Sequence, residues 1–360
     1  MLRRRTALWE EHEALGGDMG AYSWSGMALP WSYRSDVADE YAAVRRGVGV
    51  ADASQLRVVE LSGRGATAAL EALVPVAVGT MPLGTSRFTV FLNRRGRVVD
   101  EAIVMRHEAD RYWVSHGPGT ASELLVAAFP ASRPLDGLHA LAVQGPRSQG
   151  LLERGLDAPL HDLAAMAHRP AHLWGKAATL SRTGFTGELG FEIFGPGDVI
   201  VDCWRRLLGA GAVPYAYRTV DLLRVEVGFP VYPVDLAPLG SLWEASLGWL
   251  LRGKEHDFVG RLATGGSRAV LTHRLLGVGF PGFPRVPRGT RLRVGGDVVG
   301  VVTSSAQSPA AEATLCVARL VTAAAPGTPV TLADGPSQIV GTVQELPFRP
   351  RRSREGGSTP

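Results

Sequence analysis

Lysine is almost missing from this chain of 360 residues: of its 38 basic side chains only Lys176 and Lys254 are lysines, and the rest are arginines scattered from end to end. A net charge of +4 spread in this way builds no phosphate-tracking face, so no nucleic-acid partner is expected outside the short basic tail. Cysteine is equally scarce. Cys203 and Cys316 lie far apart with no CxxC or histidine-rich spacing, which argues against a metal site and fits a reducing cytoplasm. No run approaches the roughly 18 apolar residues of a membrane span, so no membrane partner is expected. The basic start Met1-Leu2-Arg3-Arg4-Arg5 leads into Glu10, Glu11 and Glu13 instead of an apolar stretch, so no secretory signal is read and the expected location is cytoplasmic. GxxxxGK[ST], HExxH and GxSxG are all absent, and Val294-Gly295-Gly296-Asp297 continues as strand instead of opening a helix, which removes the Rossmann reading. The dispersed histidines His107, His139 and His168 read as surface or structural groups.

At 45% hydrophobic residues the chain can bury a substantial core, and its length suggests two or three domains. Ser35 is placed to cap a helix running to Arg46, and Gly63 to begin a second short helix. Residues 56–61, 87–92, 98–106 and 111–115 alternate as strands, with Asn93-Arg94-Arg95-Gly96 as a hairpin turn that needs a glycine at positive φ. Residues 119–129 read as helix and 138–143 as strand, and Pro146 suits the first turn of a helix reaching Gly155. Asp198 is placed to cap a helix ended by Gly209, and 219–227 repeats that design. From Leu275 onward, short β-branched runs separated by Gly and Pro predict a small antiparallel barrel or sandwich. No internal repeat is evident. The tail 349–360, polar and basic, is expected to be mobile.

The densest concentration of chemistry is Arg182-Thr183-Gly184-Phe185-Thr186-Gly187-Glu188-Leu189-Gly190-Phe191-Glu192-Ile193. Strands are expected over 177–182 and 191–194, so period-2 alternation puts Phe191 and Ile193 on one face and Glu192 on the other. A carboxylate between apolar neighbours needs donors, and Glu192 could accept a paired hydrogen bond from the N–H/NH2 edge of a heterocycle, with Phe185 as a flat wall. A polar hairpin with a solvated glutamate is the competing reading.

This loop, taken with Leu141-Ala142-Val143-Gln144-Gly145-Pro146, with Leu223-Arg224-Val225-Glu226-Val227-Gly228-Phe229-Pro230-Val231-Tyr232, and with Leu247-Gly248-Trp249 and Asp257-Phe258-Val259-Gly260-Arg261, resembles the T-protein, or aminomethyltransferase, of the glycine cleavage system. Val298-Val299-Gly300-Val301-Val302-Thr303-Ser304-Ser305 matches that family's barrel domain, and Leu29-Pro30-Trp31-Ser32-Tyr33 and Asp52-Ala53-Ser54-Gln55-Leu56 match two further signatures more loosely. The resemblance implies an α+β fold, a three-domain ring of two α/β lobes and a C-terminal antiparallel β-barrel. It implies a discontinuous first folate-binding lobe over 1–50 and 137–265, a second lobe over 51–136, a barrel over 270–348 and a tail over 349–360. It also implies tetrahydrofolate, or a 5-methyl or 5,10-methylene form, as cofactor.

Carried over residue by residue, the resemblance makes Glu192 the pterin-binding carboxylate, with Phe185, Phe88, Arg218, Tyr33 and Trp249 as further cofactor-binding residues. It puts Glu101 where the family has its catalytic aspartate, Asp100 as the first member of that pair, and His116 where an asparagine lines the folate site. Glu101, Asp100 and His116 are therefore the catalytic candidates. Val220 replaces an arginine, Arg218 lies two positions earlier, and Phe88 replaces a common tyrosine. Arg224 and Glu226 read as a structural helix-end charge pair. Substitution at the reactive end with fold signatures intact implies a divergent one-carbon (methyl or aminomethyl) transferase or demethylase acting on a small molecule. The alternative is authentic aminomethyl transfer with a lipoyl carrier protein as partner. A folate-binding protein without transferase activity, akin to the family's iron–sulfur-assembly members, lacks support because their Lys-Gly-Cys-Tyr-x-Gly-Gln-Glu signature is absent. Nucleic-acid binding would rest only on 349–354.

Overall fold

The computed structural model describes residues 4–267, 271–282, 284–334 and 338–352. Its architecture is α+β: two mixed lobes and a C-terminal barrel. The first lobe is built on a six-stranded sheet in the order His168–Leu173, Lys176–Ser181, Gly190–Pro196, Leu138–Gln144, Gly49–Asp52, Val213–Pro214. The second has five strands in the order Thr85–Leu92, Val98–Glu108, Arg111–His116, Arg57–Ser62, Arg133–Pro134. The barrel closes through His273–Pro281, Ala313–Val321, Asp297–Ser308, Arg291–Val294, Pro329–Leu332 and Val340–Gln344, every pairing antiparallel.

The two lobes repeat one another. Each runs strand, glycine turn, helix, three-strand meander, helix, edge strand, and the strands take the same spatial order. The turn glycines are Gly145 at φ 125° and Gly63 at φ 109°, a region that L side chains avoid. Lobe one differs by the strand Gly49–Asp52, wedged between Leu138–Gln144 and the edge strand. The sequence shows no repeat because only the turn glycines and the alternation are shared, while the side chains that fill the two cores differ.

Local chemistry sets the element ends. The Asn93–Gly96 hairpin forms as expected: Gly96 has φ 74°, and Asn93 Oδ1 accepts the N–H groups of Arg95 and Arg97 at 2.9 and 3.2 Å. The first long helix, Val37–Arg46, is capped by Asp36, not Ser35; Asp36 Oδ1 accepts from Ala38 N–H at 2.9 Å, and Ser35 donates to Glu40 instead. Gly197–Gly209 has Pro196 at its N-cap, so Asp198 lies inside the first turn and caps nothing. The helix after Pro146 spans only Ser148–Leu152.

The three largest apolar cores among the described residues hold the parts. One lies under the first sheet with Trp204 and Phe191 at its centre, one fills the barrel around Phe280, and one joins the second sheet to Leu236, Leu242, Leu247, Leu250 and Phe258 and to barrel residues Leu315 and Val317. The stretch around 236–258, grouped by sequence with lobe one, thus packs on lobe two because its leucines fit that sheet's apolar face. The tail also departs from expectation. Arg349 N–H donates to the Glu226 carbonyl and Arg352 N–H to that of Gly187, so 349–352 are held against the body; residues 353–360 of the expected mobile tail lie outside the described residues.

Candidate functional site

The two sheets meet through Val58, Met105 and Trp113 on one side and Ala140 and Phe194 on the other. Beside this contact lies a cavity lined by both sheets, by Trp24 of the hairpin Ser23–Trp24/Met27–Ala28, and by Tyr215, Tyr217 and Val220 from the segment entering helix Tyr217–Glu226. Three carboxylates, Asp52, Glu101 and Glu192, are in its wall, and no Lys or Arg is among the described lining residues.

Glu192 reaches the wall as strand alternation dictates. Phe191 and Ile193 are fully buried in the lobe-one core, and the carboxylate between them faces the other way. The Thr183 hydroxyl donates to its Oε2 and lies 2.9 Å from Ser181 Oγ. Burial pushes the Glu192 carboxyl above the ordinary range, and the Thr183 bond only partly opposes it.

The glycines of the loop have a specific occupant. A Cβ at Gly184 or Gly190 would fall 2.1 or 2.3 Å from the side chain of Gln144. That amide donates to the carbonyls of Thr183 and Phe191, both at 3.3 Å, and accepts from Thr186 Oγ1 at 2.9 Å, so it pins both limbs of the loop. Glu188 turns away from the cavity to Arg45 Nη1 at 2.9 Å, and the same guanidinium binds Glu226. Phe185 lines the cavity and stacks on Phe229, centroids 5.4 Å apart and planes 11° apart, with the Arg351 guanidinium 4.3 Å above Phe229.

Glu101, on strand Val98–Glu108, faces the cavity with Ile103 and Met105. Its Oε1 accepts from Tyr232 N–H at 3.1 Å, and its buried Oε2 has no partner among the described residues. Burial raises its pKa to about 8; Asp100 and Asp235 push the same way, against the Tyr232 N–H and Arg224. Asp100 and His116 belong to the same sheet. Both side chains are fully buried, with Asp100 Oδ2 accepting from Ala121 N–H at 3.1 Å and lying 3.1 Å from His116 Nδ1. Of the three catalytic candidates, Glu101 and His116 border the cavity and Asp100 does not, and the His116 imidazole is fully buried against Asp100 and Ser122.

The remaining candidates divide similarly. Phe88 lines the cavity, and its ring centroid is 6.4 Å from Trp249, which is 48% exposed and outside the wall. Arg218 is exposed, its backbone N–H bound to the Trp31 carbonyl, and it contributes nothing to the wall. Tyr33 is buried behind it: the phenol is 2.8 Å from His12 Nδ1, and His12 Nε2 is 2.9 Å from Asp52 Oδ2. Burial would raise the Asp52 pKa, but the bonds from His12 and Ser54 outweigh it and hold the carboxyl low. Arg224 and Glu226 are not paired with each other. Arg224 binds Asp221, Asp235 and Ser304, and Glu226 binds Arg45, Tyr41 and Ser308, so this helix bolts lobe one to the barrel.

Sequence reasoning missed Asp52, Trp24, Tyr217 and the role of Gln144. The last had a signal in the glycines that leave it room; Trp24 and Tyr217, the latter stacked on Tyr22 with centroids 4.1 Å apart, had none, since they meet only in three dimensions. Among the described residues no helix is long and apolar enough to cross a membrane, and no group of three or more His, Cys, Asp or Glu is placed to hold a metal ion.

Comparison with known proteins identifies the family and the fold. The GCVT N-terminal domain family matches residues 8–255. The chain is 36% identical over 344 residues to an aminomethyltransferase of Streptomyces coelicolor, covering 90% of this chain and 91% of the relative. It is 30% identical over 334 residues to the heme-dependent oxidative N-demethylase gamma subunit of Ectopseudomonas mendocina, covering 88% of each. The glycine cleavage system aminomethyltransferase T from Bartonella henselae superposes with a TM-score of 0.90 at 26% identity, covering 98% of this chain and 99% of that one.

Proposed function

The chain belongs to the aminomethyltransferase (T-protein) family, and on that premise we propose that it is a tetrahydrofolate-dependent transferase that takes a methyl or aminomethyl carbon from a small amine. The observation that carries this reading is the cavity wall, where Glu192 of one sheet and Glu101 of the other face one aromatic space that has no Lys or Arg among its described lining residues. A pterin offers adjacent N–H and NH2 donors, which a fixed carboxylate such as Glu192 can accept in bidentate fashion. The Oε2 of Glu101, without a partner among the described residues, fits a ligand as well, since a buried polar atom left without a partner is costly unless something bound supplies one.

When bound, tetrahydrofolate would supply the nitrogen that accepts the carbon. Glu101, with a pKa near 8, holds a proton at neutral pH. It gives that proton to the amine nitrogen of the substrate, so that the C–N bond breaks with its electron pair on nitrogen and a neutral amine departs. Trp24 and Tyr217 offer π faces to the ammonium formed by that proton transfer, before the C–N bond breaks. With Val220 in the wall and Arg218 outside it, no Lys or Arg among the described lining residues can pair with a carboxylate on the substrate, which favours a simple methylated amine over an amino acid. The likeness to a protein named as an N-demethylase subunit supports the same direction.

The second reading, aminomethyl transfer from a lipoyl carrier protein, is favoured by the relatives named aminomethyltransferase and by the full-length structural likeness. Assaying the purified protein with tetrahydrofolate against a series of N-methylated amines, and against aminomethyl-loaded lipoyl carrier, separates the two. Folate-dependent release of the demethylated amine supports the first reading. Faster turnover on the carrier overturns it, and folate binding without turnover on either leaves a binding protein.

A further inference from the structure

Between the carboxylate-lined cavity, which His116 borders, and a second cavity, which Ser122 borders, three side chains stand in series. His116 Nδ1 lies 3.1 Å from Asp100 Oδ2 and 2.9 Å from the Gly117 carbonyl oxygen. Both neighbours are acceptors, so the imidazole proton resides on Nδ1 and Nε2 presents a lone pair. That nitrogen is 2.7 Å from Ser122 Oγ. Asp100 is itself fixed by the N–H groups of Glu101 at 2.9 Å and Ala121 at 3.1 Å. Imidazole and carboxylate are fully buried, whereas Ser122, in the first turn of helix Ala121–Ala128, is half-buried in the wall of a second cavity. The order is that of hydroxyl, base and orienting carboxylate, with the base in the tautomer such a relay requires.

We propose that Ser122 is a nucleophile that accepts acyl groups from small esters or thioesters bearing an anionic group, at a site separate from the one-carbon chemistry. Arg4 and Arg57 share the wall of this second cavity, their guanidinium groups held by long bonds of 3.4 and 3.5 Å to the Ser25 carbonyl. They supply the positive charge for the anionic group, opposed only by Asp136, 3.9 Å from Arg4, among the described carboxylates in that wall. In the step, Ser122 Oγ bonds to the acyl carbon as its proton passes to His116 Nε2. The carbon–oxygen or carbon–sulfur bond then breaks and the departing alcohol or thiol takes that proton. Water, deprotonated by the same nitrogen, releases the carboxylic acid and restores the serine.

A serine serving only to satisfy a buried histidine would have the same hydrogen bond and no reactivity, so reactivity decides. Full-length protein treated with a small fluorophosphonate should gain one adduct, mapped by peptide mass spectrometry to Ser122. It should also hydrolyse p-nitrophenyl acetate and a succinyl thioester with an initial burst. Ser122→Ala should abolish both and leave tetrahydrofolate affinity unchanged, and His116→Asn should slow labelling by about a hundredfold. Should His116→Asn not fold, Ser122→Cys replaces it: the introduced thiol should react with iodoacetamide at a lower pH than an ordinary cysteine, through pairing with the imidazolium. An unmodified Ser122 with hydrolysis no greater than in Ser122→Ala, or a thiol of ordinary reactivity in Ser122→Cys, overturns the proposal.

Discussion

The two lobes pass through the same elements in the same order, yet each brings its carboxylate to the shared cavity from a different place. In lobe one, Glu192 comes from the last strand of the meander and is braced by Thr183, under a loop pinned by Gln144 and tied down by Arg45. In lobe two, Glu101 comes from the middle strand and keeps one oxygen without a partner among the described residues. Lobe one also carries the additional strand that delivers Asp52 to the wall. In the proposed function, one architecture places the pterin acceptor on one side and the proton donor on the other, and burial raises the pKa of both carboxyls. The difference lies in which strand is used and which donor holds the carboxylate, the Thr183 hydroxyl or the Tyr232 N–H, not in the fold.

The sharpest way to break this comparison is to neutralise the lobe-two group. Glu101→Gln should lower turnover by about two orders of magnitude while tetrahydrofolate affinity by calorimetry stays within a few-fold, as for loss of a proton donor. In the unaltered protein kcat/KM should hold at neutral pH and fall as pH rises through about 8, where Glu101 loses its proton, and the substitution should remove that limb. The sign for stability is the same. Between the ordinary glutamate range and about 8 the folded chain holds a proton that the unfolded chain has released, so stability declines as pH rises across that window, and Glu101→Gln flattens the decline. The lobe-one counterpart, Glu192→Ala, should act on binding, weakening tetrahydrofolate by about 1 to 3 kcal/mol, with Glu192→Gln intermediate and little changed in Tm. A loss of turnover without loss of affinity in Glu192→Ala would reverse the assignment of roles.

The repeat itself can be tested at its turn glycines. A Cβ at Gly145 would fall 2.5 Å from the Gly47 carbonyl oxygen and 2.7 Å from that of Val44, whereas one at Gly63 meets nothing within 4 Å. Both have positive φ, so Gly145→Ala should cost about 3 kcal/mol and Gly63→Ala about 1 kcal/mol by denaturant unfolding. Equal losses would mean that strain alone, and not the tighter packing of lobe one, sets the penalty. An effect as small as that of Gly63→Ala belongs to Asp36→Ala, which removes the cap of the helix leading to the extra strand; about 1 kcal/mol is expected in the same measurement.

What could be read from the chain beforehand was whatever depends on near neighbours. The Asn93–Gly96 turn and the outward face of Glu192 follow from alternation and turn chemistry, and the family signatures carried the α+β architecture and the barrel. His116 borders the cavity as the motif match implied, but the motif did not show that its imidazole would be buried between Asp100 and Ser122. Tyr33 was misplaced for a related reason: its phenol is held by His12, far away in sequence, and influences the wall only through Asp52. The Arg45–Glu188–Glu226 cluster joins three segments that no local pattern links.

The wedged strand Gly49–Asp52 also sets an order of events during synthesis. Every strand of the lobe-two sheet comes from residues 57–134, so that sheet can pair as soon as this contiguous stretch has left the ribosome. Gly49–Asp52 emerges earlier yet hydrogen-bonds to Leu138–Gln144 and Val213–Pro214, and must wait unpaired while the whole of the second lobe is made. The nascent chain therefore completes the lobe-two sheet first, and lobe one closes beside a neighbour whose own sheet is already in place.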